Sequence, residues 1–291
     1  MRISQGLIAL LLCSAAAHAQ PVQPLIDRPL TLSDRKIDLT LQGTYTNWAG
    51  STVPSGTSVD GESVAIGVDF GASDRVQPGF AVAFPINPGA GFGSVLGSVA
   101  FLAARGLALR LDAGYERTGV NGATTGSAHS NRYFGGIGVP IKLPISSTVA
   151  FLSGRVGAVQ FGHFNNLGAS GVGVYSGAST YAQTSADLFS VSVDGFTNVS
   201  INLPAGLLFQ PDPHVALTLL AGYSAQIEFL GSTTVVLHYF PTGLEAVFTP
   251  SPPFDIGARL FFDGYVTSSN GTAPIGYFDM RGLMLWLRVR A

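Results

Sequence analysis

Runs of residues in which every second side chain is apolar recur from Ile37 to the end of the chain, and no other feature narrows the possible folds as far. In Leu107–Arg117, Leu107, Leu109, Leu111 and Tyr115 share one parity, while Arg110, Asp112 and Glu116 take the other. A helix, at about 100° per residue, would scatter the three leucines around its circumference. A strand, with its period of two, sorts the same residues onto two opposite faces. Val64–Phe70, Val199–Leu207, Val215–Tyr223 and Ile256–Phe262 repeat the pattern. A tilted strand needs about 9–11 residues to cross the hydrocarbon of a bilayer, so run length and period both point to a membrane-crossing wall.

Composition agrees. Only 11% of the 291 residues are charged, against about a quarter in water-soluble domains, and Gly 37 and Phe 19 are both high. Something other than water must meet such a surface. No segment reaches about 18 unbroken apolar residues, which excludes membrane-spanning helices. Met1 and Arg2, the apolar run Leu7–Leu12 and Ala17-His18-Ala19 read as a secretory signal peptide, 1–19, cut after Ala19. Cys13 leaves with it, so the mature chain has no thiol for a disulfide, a metal or a nucleophile. A formal charge of −2 without a basic stripe excludes nucleic acid as a partner.

The alternation predicts about 12 strands, near 37–47, 62–71, 78–85, 94–103, 107–117, 131–141, 147–161, 197–209, 215–227, 233–248, 254–266 and 276–290. Short turns such as 103–106, 210–214 and 249–253 follow the even strands. Longer polar loops, Gly50–Gly61, Thr118–Ser130, Gly162–Phe196 and Thr267–Ile275, follow most odd ones. Tyr45, Tyr115, Tyr133, Tyr223, Tyr265 and Tyr277 fall near the long-loop rim, and Phe70, Phe101, Phe209, Phe248 and Phe254 near the short-turn rim, as two aromatic belts would. A soluble sandwich has similar loops at both rims and a more charged exterior. The expected fold class is therefore all-β: a transmembrane up-and-down antiparallel β-barrel over 37–291. Within 162–196, Phe189, Val191 and Val193 alternate with polar residues, so this stretch is a surface hairpin, an inward fold, or a strand pair that would make 14 strands. Pro21, Pro24 and Pro29 mark 20–36 as an extended periplasmic lead-in.

On this pattern the chain resembles bacterial outer-membrane β-barrel proteins, porin-like and of no particular subfamily, over nearly all of the mature sequence. The resemblance implies an outer-membrane location, periplasmic termini, and membrane lipid and the barrel-insertion machinery as partners. Such proteins end on an alternating strand with a terminal aromatic. Here Leu283, Leu285, Leu287 and Val289 alternate and Trp286 supplies an aromatic, but the chain ends Arg288-Val289-Arg290-Ala291.

With apolar faces outward, Asp69, Arg110, Asp112, Glu116, Arg155, Glu245, Arg259 and Asp263 line the lumen, either as a solute-selecting constriction or as charge pairs bracing a narrow interior. An Arg on the lipid face at mid-depth would cost about 2–4 kcal/mol, which keeps the alternation strict. Inward glycines, including Gly67, Gly71, Gly206 and Gly257, are expected to keep that interior open or to let strands curve. About 12 strands imply a narrow pore. His129 and Ser130 invite comparison with outer-membrane lipid hydrolases, but adjacent residues on a strand face opposite ways and do not share a proton easily. His163, His214 and His238 have no partner at ligand spacing. No catalytic, cofactor or metal site is expected. The expected function is a narrow passive channel for small solutes, the alternatives being a non-conducting surface or structural barrel and, third, an outer-leaflet lipid hydrolase.

Overall fold

A computed structural model describes residues 21–48, 59–87, 94–122, 126–153, 190–194, 198–230, 233–268 and 280–291. They form fourteen strand segments: β1 (Ile37–Trp48), β2 (Val59–Phe70), β3 (Val76–Asn87), β4 (Ser94–Ala104), β5 (Leu107–Gly122), β6 (Gly126–Gly138), β7 (Ile141–Pro144), β8 (Val149–Ser153), β9 (Ser190–Asp194), β10 (Asn198–Asp212), β11 (Val215–Leu230), β12 (Thr233–Ser251), β13 (Phe254–Ser268) and β14 (Met280–Arg290). All pairings between them are antiparallel. β14 closes on β1 from Asp38↔Arg290 to Trp48↔Met280, so the sheet is a barrel with no open edge there. Closure matters because backbone groups facing lipid have no water to bond.

The fourteen segments fill twelve strand positions. β6 and β7 hold one register against β5, Arg110↔Gly138 and Leu107↔Ile141, and are two lengths of one strand. β8 and β9 likewise share a position between that strand and β10. β8 lies against Gly206–Phe209, and β9 against Asn198–Asn202. The seventh strand is thus assembled from two stretches far apart in sequence, with residues 154–189 lying outside the described part. The expected strand over 147–161 is described only to Ser153, and Val191 and Val193 complete the same position instead of adding a strand pair. Pro204 sits at the level between the two pieces. The Gln210 N–H donates to Thr148 O at 2.8 Å, so by the period of two the nitrogen of Pro204 faces the same side. Lacking an N–H, Pro204 donates nothing to the ladder at that level.

The outer surface carries the apolar parity. Leu207, Leu219, Leu244, Leu260 and Leu283 are register partners across five successive strands, and all are exposed. Leu107, Leu109 and Leu111 are exposed while Ala108 between them is buried, as the alternation requires. Phe70, Phe101, Phe209 and Phe248 project outward near the short turns, and Tyr45 is exposed towards the opposite rim.

Two expectations are corrected, and the last strand's aromatic is placed. The loop expected over Thr118–Ser130 is largely strand: β5 runs on to Gly122 and β6 begins at Gly126, with polar residues paired across this extension. Trp286, the aromatic of the last strand, lies on the opposite parity from its leucine neighbours. Its even parity turns it into the lumen, where it is buried. Two of the inward glycines do not hold space open. A Cβ on Gly257 would lie 2.0 Å from the Trp286 ring, and one on Gly71 would lie 1.9 Å from Ser33 O, so both admit a close neighbour.

Candidate functional site in the barrel lumen

The short-turn end of the lumen is filled from within. Pro24 precedes a 3-10 turn, Leu25–Asp27, closed by Asp27 N–H to Pro24 O at 3.0 Å and Arg28 N–H to Leu25 O at 3.3 Å. This turn points Leu25 and Ile26 inward, where they are 3% and 2% exposed. They join a cluster with Leu152, Leu208, Ala216, Val247, Met284 and Trp286, all inward-facing residues of the wall. Alternation foretold a hydrophilic lumen, yet a second apolar group, Ala65, Ala81, Ala83 and Leu96, also faces inward. A narrow barrel filled by side chains needs apolar packing where water is excluded.

Polar contacts fix the segment on several sides of the barrel. The Lys142 ammonium donates to Leu25 O at 3.0 Å and also to Arg28 O. Gln210 Oε1 accepts the Ile26 N–H at 2.9 Å. Opposite, Gln77 Oε1 accepts the Leu32 N–H at 2.7 Å, and Asp74 Oδ1 accepts that of Asp34 at 3.0 Å.

At the centre, Arg28 Nη1 donates to both carboxylate oxygens of Asp255, at 2.9 and 3.1 Å, and Nη2 donates to Thr249 Oγ1 at 3.2 Å. Thr249 in turn donates to Asp255 Oδ1 at 2.7 Å. Arg290 also bonds Asp255. Arg288 lies 3.7 Å from Asp255 and 3.8 Å from Asp38, and its guanidinium stands 5.1 Å from the Trp286 ring centroid. Burial lowers the Arg28 guanidinium to about 10, with Asp255 pulling the other way, so Arg28 is charged at neutral pH.

The lumen candidates divide as follows. Arg110 and Asp112 pair at 2.8 Å, and Arg259 and Glu245 at 3.3 Å, all four on the inward face. Asp69 faces inward over Gly79, where a Cβ would meet its carboxylate at 2.2 Å. Glu116 and Asp263 lie in β5 and β13 on the inward parity, but their side chains, like all of Arg155, lie outside the described residues. The same holds for the side chains of His129 and Ser130. His238 has a partner: its Nδ1 lies 2.7 Å from the Tyr223 hydroxyl. Among the described residues no group of three or more His, Cys, Asp or Glu could hold a metal.

Sequence reasoning passed over Arg28, Asp38, Lys142, Asp255, Arg288 and Arg290. For Asp38, Asp255, Arg288 and Arg290 the signal was there, since each alternates with an outward apolar neighbour just as Asp69 does. For Arg28 it was not, because a residue outside the strands has no parity to place it.

No protein-family model and no curated protein matches the chain. Solved structures do. The COG4313 outer membrane channel from Pseudomonas putida F1 aligns at TM-score 0.51 and 10% identity, over 93% of this chain and all (100%) of that one. The translocator domain of the autotransporter NalP from Neisseria meningitidis aligns at TM-score 0.46 and 10% identity, over 91% and 90%. The NanC porin aligns at TM-score 0.45 and 7% identity, over 86% and 98%. At such identities the likeness is one of fold. The closed twelve-position wall and its outward leucine row make this chain an up-and-down antiparallel β-barrel with an apolar outer face, the fold it shares with the COG4313 channel.

Proposed function

We propose that the protein is exported to a bacterial outer membrane and forms a narrow passive channel for small solutes. The observation that carries this reading is the inward placement of hydrophilic side chains inside a wall whose outer face is apolar. Thr40, Gln42, Thr44, Thr218 and the Arg259–Glu245 pair are buried on the inner parity, while the leucines between them are exposed. A solute crossing such a wall would meet hydroxyls, amides and paired charges of both signs. Small neutral or zwitterionic molecules suit that lining better than large ions. The likeness to the COG4313 channel adds support for the architecture.

Single-channel recording of the refolded protein in planar bilayers tests the reading, with membrane fractionation and heat-modifiable gel migration to establish the inserted barrel. Discrete steps are expected, with a smaller or altered conductance once the Arg110, Arg155 and Arg259 charges are removed. A barrel that never steps, whether intact or with 22–31 replaced by a Gly/Ser stretch, overturns it. One observation favours a non-conducting structural barrel instead: the apolar cluster around Leu25 and Ile26 fills one end of the lumen. No described geometry favours a hydrolase, and lipid turnover lost on His129→Ala with Ser130→Ala would be its signature.

A further inference from the structure

We propose that the stretch around Leu25–Asp27 is a built-in stopper, latched by Arg28 on Asp255, which holds the lumen shut at the short-turn end, and that the barrel conducts when this stretch is withdrawn. The inference rests on the channel reading above and adds its regulation.

The wall does not depend on this stretch. β14 closes directly on β1 through eleven register pairs, and residues 21–36 contribute no strand to the sheet. What holds the stretch is instead a set of separable contacts. The Lys142 ammonium takes two of its carbonyls, Gln210 takes one of its N–H groups, and two apolar side chains enter a pocket of the inner wall. A strap that merely tidied the N-terminus would run along the rim. This one enters the lumen and buries Leu25 and Ile26 there.

The latch can also open without leaving an orphaned charge. Asp255 is fully buried, and an unpaired carboxylate at such a site would be strongly disfavoured. With Arg28 gone it keeps Arg290 and Arg288, and Asp38 keeps the same two partners, so two acids still face two arginines. Arg28 is therefore a third, removable cation on a network balanced without it. Gln77 links the stretch to the lumen wall as well. Its side-chain oxygen holds the Leu32 N–H from β3.

The test has two arms, both on the full-length protein carrying Cys13→Ser. In the first, Ile26→Cys is labelled with a bulky, membrane-impermeant maleimide, barrel folding being checked by heat-modifiable migration. Labelling is expected to be slow with the contacts intact, and at least about tenfold faster when Arg28→Gln and Lys142→Met are added. In the second, planar-bilayer steps are compared between the intact chain and one with 22–31 replaced by a Gly/Ser stretch of equal length. Larger or more frequent steps are expected from the replaced chain. Labelling of the intact chain at the rate of a free thiol overturns the stopper, and so do equal steps from both chains, which leave the channel standing. If thiol release is seen and neither chain steps, the channel reading is overturned, and the stopper with it.

Discussion

The Trp286 indole fills the space above Gly257: a Cβ at position 257 would fall 2.0 Å from the ring, with two further ring atoms at 2.1 and 2.4 Å. The two residues are register partners on neighbouring strands, and the glycine is what lets an indole lie flat against the inner wall. Gly257→Ala should therefore displace Trp286 from the apolar cluster that also holds Leu25 and Ile26, at about 1–3 kcal/mol of overpacking. Urea unfolding of the folded barrel in detergent measures the loss. Shortening the ring partner in Gly257→Ala with Trp286→Leu should recover part of it, whereas a loss caused only by backbone stiffening would not respond.

Lys142 holds the N-terminal turn by its backbone, donating to the carbonyls of Leu25 and Arg28, whereas Arg28 holds it by a side chain. Replacing Lys142 by Met keeps the apolar stem and removes both contacts. Hydrogen bonds to a charged group contribute about 1.5–3 kcal/mol, so amide exchange at Ile26, whose N–H rests on Gln210, should quicken by roughly tenfold to a hundredfold. Exchange in the β1–β14 ladder should be unchanged, because that pairing closes without the turn. Mass-resolved hydrogen exchange on the two peptides decides this.

Leu219 is 62% exposed and lies between Leu207 and Leu244 in the outward row. If that row meets acyl chains, Leu219→Arg should cost about 2–4 kcal/mol of folding free energy in liposomes. In a water-facing setting the same change would be within about 0.5 kcal/mol. Urea titration of folding into phosphatidylcholine vesicles separates the two, with Leu219→Ala as the control for side-chain truncation.

Most of the wall was legible because a wall with one apolar and one packed or polar face imposes a binary choice on every strand residue. The opening example is typical: Leu107, Leu109 and Leu111 go out, Ala108, Arg110 and Asp112 go in, and β5 begins where the alternation begins. What alternation could not convey is which stretches share a strand position. Val191 and Val193 carry the right period, but only pairing with β6 and β10 shows that they continue the strand begun at Val149. Nor does parity say that an inward residue is hydrophilic. Leu96, Leu152 and Leu208 point inward because the narrow interior at their level is packed rather than wet. The lead-in was the hardest part. Prolines at 21, 24 and 29 predict an extended chain, yet a 3-10 turn lies between them, and its apolar pair Leu25-Ile26 finds its place only through wall residues more than a hundred positions away.

Glu245 and Arg259 are register partners on β12 and β13, buried on the inner face with the carboxylate 3.3 Å from Nε. A pair of this kind is dear to break and cheap to replace: removing one partner of a buried ion pair costs about 3–5 kcal/mol, whereas exchanging both for apolar residues of similar volume is often neutral. Glu245→Gln should therefore destabilise the barrel strongly, and Glu245→Leu combined with Arg259→Met should restore most of the stability in the same urea titration. The two variants also separate bracing from selection. If the pair only braces the wall, the stable double variant should conduct with the selectivity of the intact protein. If solutes pass beside it, the double variant should fold normally and yet show a changed reversal potential under a salt gradient, since the path has lost a fixed positive and a fixed negative charge that stand at one level of the lumen.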